Sequence, residues 1–117
     1  MLAGEDCMSC HGGAAAKALS APAWSVAGTV YGASDSDPHA GLEGVLVHVT
    51  DSEGVKLTLR SNAAGNFYSA ERLSFPLQVC VEGAGVTRCM ENAVRGSCNE
   101  CHTIPSHNQA PGRVAVP

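Results

Sequence analysis

Broad aromatic side chains are scarce in this chain, which has one Trp, two Tyr and two Phe among 117 residues. An interior built from it has to be filled by Val, Leu and Ala, or by a bulky group that the chain does not encode. Long apolar runs are missing too. No stretch approaches the roughly 18 to 20 apolar residues that cross a bilayer, so no membrane span is expected. Charge is sparse, at 15% Asp, Glu, Lys and Arg, and its balance is acidic, with a formal net charge of -4 and a pI near 5.6. That balance excludes a basic stripe for nucleic acid and a polybasic segment for anionic lipid. A secretory leader, with its basic start and apolar run, is also missing, and the chain is read as a mature form whose leader has been removed.

Cysteine, by contrast, is plentiful at six residues. Four of them stand in two copies of one pattern, Cys7-Met8-Ser9-Cys10-His11 and Cys98-Asn99-Glu100-Cys101-His102. Two cysteines three apart can each form a thioether to one haem vinyl group, and a histidine at the next position then falls beneath the iron. The expectation is two haem c groups, with Cys7, Cys10, Cys98 and Cys101 as thioether anchors and His11 and His102 as proximal iron ligands. Zinc knuckles and redox dithiols use Cys-x-x-Cys pairs as well, but neither requires the histidine that follows in both copies. Haem c attachment implies a location outside the cytoplasm, whether periplasmic, cell-surface or extracellular. The two remaining cysteines, Cys80 and Cys89, are expected to form a disulfide, because Gly83-Ala84-Gly85 between them is a turn signal that brings two short strands opposite each other. The alternative is a pair of unpaired buried thiols.

Residues 1–23 form the first attachment segment, in which Gly12-Gly13 and Ala14 to Leu19 predict about two helical turns before Pro22. Residues 24–95 alternate apolar and polar positions between Gly, Asp, Ser and Pro clusters, the pattern of an antiparallel β domain. Six strands are predicted: Ser25 to Tyr31, Val45 to Thr50, Val55 to Arg60, Asn66 to Ala70, Phe75 to Val81 and Val86 to Met90. The predicted core is Val45, Val47, Val49, Val55, Leu57, Leu59, Leu77, Val79 and Val81, with Val26, Val30 and Phe67. Asp51-Ser52-Glu53-Gly54 and Asn62-Ala63-Ala64-Gly65 are each read as a hairpin turn. Residues 96–117 carry the second motif and a turn-rich tail, where Val114 and Val116 can add a last edge strand.

The segment Gly28-Thr29-Val30, then Gly41 to Val49, Asp51-Ser52-Glu53-Gly54 and Ser61 to Phe67, resembles a carboxypeptidase regulatory-like, or transthyretin-like, β-sandwich over about residues 26–82. The resemblance implies a seven-strand Greek-key sandwich without catalytic activity. Taken with the two motifs, the chain resembles multihaem c-type cytochromes. The expected fold is therefore mainly β: a small antiparallel Greek-key sandwich flanked by haem-binding N- and C-terminal segments with little helix.

Function turns on the sixth ligand of each iron, since a filled position restricts a haem mainly to passing electrons. Three histidines remain as candidate distal ligands. His48 lies on the outer face of a strand beside Leu46 and Thr50, and His39 lies in a loop between the first two strands. His107 follows His102 too closely to reach the opposite face of the same iron, so within the chain it would serve the first haem. Met8 sits inside an attachment loop and points the wrong way, and Met90, at a strand end, ranks behind the histidines. The expected activity is electron transfer from haem to haem, to redox partner proteins or a terminal acceptor. It would take place in a homo-polymer built through head-to-tail contacts, with a monomeric periplasmic carrier as the alternative. An enzyme of the peroxidase or reductase type would need an acid or base above an open iron, and no compact His, Glu and Arg constellation adjoins either motif. A sandwich serving adhesion or sensing is the third class.

Overall fold

The computed structural model describes residues 4–13, 17, 23–33, 35–106, 108 and 110–117. The helical turns expected over residues 14–19, apart from Lys17, and the candidate ligand His107 lie outside the described residues.

Alternating valines build the centre. In β2 (Leu46–Thr50) Val47 and Val49 are buried, while Leu46, His48 and Thr50 take the opposite face. This strand pairs antiparallel with β3 (Lys56–Arg60) on one side and β5 (Leu77–Gly83) on the other, and β6 (Val86–Ala93) closes the order β3-β2-β5-β6. A second antiparallel sheet joins β1 (Val26–Thr29) to β4 (Asn66–Ser69). Val26, Val30 and Phe67 from this side meet Val47, Val49, Leu77 and Val81 from the other, which makes one core between two layers. The fold is thus mainly β, and among the described residues its helices are single turns, α1 (Met8–His11) and α2 (Cys98–Cys101). No helix is long and apolar enough to cross a membrane among the residues described.

The turns account for the register. Asp51 caps the β2–β3 hairpin, its Oδ1 accepting the N–H of Glu53 at 3.0 Å and of Val55 at 2.8 Å, while its Oδ2 takes the Ser74 N–H at 3.0 Å. In the β5–β6 hairpin Gly83 pairs with Val86 and leaves Ala84 and Gly85 at φ 51 and 76, the left-handed two-residue turn whose twist suits antiparallel strands. Cys80 then falls opposite Cys89, and the expected disulfide is formed.

All six predicted strands are present, with ends shifted by a residue or more. Val55 is a correction to the expected core, at 44% exposed. Its N–H belongs to the Asp51 turn, so it sits at the hairpin tip, where no second layer covers it. The Asn62–Gly65 turn is also not a hairpin: it carries the chain out of the larger sheet, and β4 takes β1 as its partner, where Phe67 can face the valines of the other layer. Alternation missed Tyr31, which is fully buried with its hydroxyl donating to the Pro38 carbonyl at 3.0 Å.

The C-terminal segment is stitched to the free edge of β1. The Ala27 N–H donates to the Gly96 carbonyl at 2.9 Å, and Ser97 bridges Ala27 in parallel. Further along, the Tyr31 N–H donates to the Val114 carbonyl at 2.8 Å and the Val116 N–H to the Tyr31 carbonyl at 3.0 Å. The tail makes an isolated parallel bridge at Ala115, short of a last strand, and Val114 and Val116 lie against the core. Cover is thinnest at the sheet's edge, where β6 is exposed from Val86 to Asn92 and buried only at Ala93.

Candidate functional site

The two Cys-x-x-Cys-His segments, 91 positions apart in sequence, are in contact. Asn99, inside the second motif and only 3% exposed, is the joint. Its Nδ2 donates to the Glu5 carbonyl at 2.8 Å and to Thr29 Oγ1 at 2.9 Å, and lies 3.9 Å from Cys7 Sγ; its Oδ1 accepts the Thr29 N–H at 3.0 Å. Thr29 Oγ1 also accepts the Gly4 N–H at 3.1 Å and donates to Asn66 Oδ1 at 2.7 Å. A second tie runs from Ser97 Oγ to Asp6 Oδ1, the carboxylate that also accepts the Met8 N–H at the start of α1. Strand β1 thus acts as a shared mount for both motifs.

Beside the second motif lies a cavity of about 620 Å³. Its floor is the inner face of β5 and β6, with Val79, Val81 and Met90, and its roof includes Cys98, Cys101 and His102. One helical turn places Cys98 and Cys101 on the same side of α2, because residues three apart are neighbours on a helix surface. The His102 Nδ1 lies 2.8 Å from the Gly112 carbonyl. A carbonyl only accepts, so Nδ1 is the donor in this bond and Nε2 is the nitrogen left to face a metal.

Burial pushes the Cys98 thiol up to about 12, with the neighbouring Cys7 and Cys101 adding to the shift. Burial raises Cys7 as well. Thiols held neutral are poor partners for disulfide exchange, which proceeds through the thiolate. At the first motif Cys10 is exposed, and the His11 ring stacks on Trp24 at 3.6 Å and 6°. Trp24 in turn stacks on Tyr68 at 4.2 Å and 13°. This column fixes the plane of the His11 ring against the outer face of β4.

The remaining candidates are dispersed. The His48 ring sits on the outer face of the larger sheet, its Nε2 2.8 Å from Glu82 Oε2 and its Nδ1 3.2 Å from Thr58 Oγ1, on the far side from the cavity. His39 is exposed in its loop, where its backbone N–H donates to Asp37 Oδ1 at 2.8 Å. Among the described residues no three His, Cys, Asp or Glu side chains gather as a bare metal ion would require. Spacing arguments overlooked Asn99, Thr29, Trp24 and Tyr68. Only the last had a visible signal, as the outward neighbour of the inward Phe67.

Fold and site together define a small two-layer β protein whose two Cys-x-x-Cys-His segments, each in a helical turn, are tied to one strand, β1. Compared with known proteins, the chain matches no family model, no curated protein and no solved structure.

Proposed function

We propose that this chain is a dihaem c-type cytochrome, an electron-transfer protein working outside the cytoplasm, with one haem on Cys7, Cys10 and His11 and the other on Cys98, Cys101 and His102. The observation that carries this reading is His102, whose ring lines an apolar cavity together with both cysteines of its motif while its Nδ1 is held by the Gly112 carbonyl. The residues fit the group. The cavity volume falls within the range of organic-ligand sites, its surface is mainly apolar, and the cysteines share one side of a helical turn. The core is poor in aromatics, and a porphyrin supplies the bulk that the chain lacks. When bound, haem c supplies a reversible one-electron iron couple. The chain anchors it, orients the imidazoles and excludes water.

The contact between the motifs supports transfer between two haems of a single chain. It favours a carrier over a head-to-tail filament, because haems held on motifs in contact would need no neighbouring copy to complete the path. His48, with its ring on the outer face, would then serve only a haem presented by another molecule. The Cys80–Cys89 disulfide is compatible with an oxidising compartment.

The test is covalent attachment. Protein exported by a host with a haem-attachment system is unfolded in acid, freed of loose pigment, weighed intact and scanned for absorption. Two haems per chain are expected, and one after joint Cys98→Ala and Cys101→Ala substitution. Colourless unfolded protein would refute the proposal.

A further inference from the structure

We infer that Met90 is the axial ligand opposite His102 at the second haem, so that this iron takes a thioether in place of a second imidazole; the inference rests on the dihaem reading above. Register pairs Met90 with Val79 and Arg88 with Val81, and cross-strand partners point to the same side of a sheet. Val79 and Val81 are themselves paired with Val49 and Val47, whose side chains form the core. Met90 therefore points to the inner face. It is 47% exposed, on an edge strand, and lines the cavity. A methionine on an inward position, half bare, and facing the same hollow as an oriented histidine is placed to be covered by whatever fills the hollow.

The other side chains of that wall do not compete. Val79 and Val81 have no donor atom and Arg88 is a cation without a free lone pair, while Cys89, opposite Cys80 in register, is turned to the outer face and committed to its disulfide. Cys80, the partner of His48 in register, lies on the outer face, so His48 is directed away from this cavity. His39 does not line it. A thioether is a soft, polarisable donor suited to haem iron, and histidine–methionine ligation raises the reduction potential above that of a bis-histidine site. The second haem is then more readily reduced than it would be with two imidazoles.

The experiment compares the dihaem protein with Met90→Leu, a near-isosteric change, and Met90→His, which restores a ligand. The oxidised protein should show the weak long-wavelength band of sulfur-to-iron charge transfer. Met90→Leu should abolish that band and allow one equivalent more of cyanide or carbon monoxide to bind per chain than the parent protein takes up, without denaturant. Met90→His should remain six-coordinate and low-spin, lack the band, and move one of the two redox waves to lower potential. Two attached haems with bis-imidazole spectra at both irons, or a band and potentials unchanged in Met90→Leu, overturn this assignment and leave the dihaem reading standing. Absence of covalent haem overturns both.

Discussion

Replacement of Asn99 by Ala tests whether one buried amide joins the chain ends. The substitution removes three hydrogen bonds, from Nδ2 to the Glu5 carbonyl and Thr29 Oγ1 and from the Thr29 N–H to Oδ1. Each is worth about 1 kcal/mol net, and a buried donor left without a partner adds roughly 1 to 3 kcal/mol. Glu5 is exposed and its carbonyl can regain water, so only the fully buried Thr29 N–H incurs that further cost. Thr29 Oγ1 keeps Gly4 and Asn66 as partners. The expected loss is therefore about 4 to 6 kcal/mol. With an unfolding entropy of about 2 cal/mol/K per residue, a chain of 117 residues should melt about 4 °C lower per kcal/mol, or roughly 16 to 24 °C lower in all. Thermal and urea unfolding followed by circular dichroism measure both quantities. Asn99→Asp, which restores the acceptor but sets a carboxylate oxygen against the Glu5 carbonyl, should recover little. A loss below about 0.5 kcal/mol, the size of an ordinary surface change, would refute the role assigned to Asn99.

Gly28→Ala should destabilise by roughly 1 to 3 kcal/mol in urea titration, since its Cβ would lie 2.6 Å from Phe67 Cζ and 2.8 Å from Cys98 Cβ at the packed edge of the site. Opening the disulfide by Cys80→Ala and Cys89→Ala should cost about 2 to 3 kcal/mol, the closure entropy of a short loop with a separation of 9, and unreduced intact mass confirms the bond beforehand. Asp51 is held below the usual carboxylate range first by the Ser74 N–H, with those of Val55, Glu53 and Gly54 acting in the same direction. Its folded value is depressed, so its contribution is complete above the unfolded value near pH 4 and is lost as pH falls through the folded one. Asp51→Asn should therefore flatten the decline of stability below pH 4, measured by denaturation across that window. A slope identical to that of the parent chain would show that other groups set it.

Covalent spacing and strand periodicity are local properties, and they were readable from the chain alone. The Cys-x-x-Cys-His pattern carries its chemistry within five positions. Alternation marked Val47, Val49 and Val81 as inward, and Gly83-Ala84-Gly85 announced the hairpin that sets Cys80 opposite Cys89. Alternation assigns a face but not what covers it, and this misled the reading of Val55, whose inward parity falls at a hairpin tip. A turn such as Asn62–Gly65 looks the same whether the next strand pairs with its neighbour or crosses to another sheet. The choice depends on where Phe67 finds apolar surface.

The amino-acid order by itself determined the two Cys-x-x-Cys-His motifs, the strands between them and the disulfide, because bonds and hydrogen-bond ladders act over a few residues. Only the tertiary structure decided that both motifs hang on β1 through Asn99 and Thr29, that His102 and Met90 face one cavity, and that His48 faces away from it. Those relations come from pairing across more than 60 residues, Ser97 against Ala27 and Ala115 against Tyr31, where the energy lies in burying a shared interior and no short stretch encodes the partner.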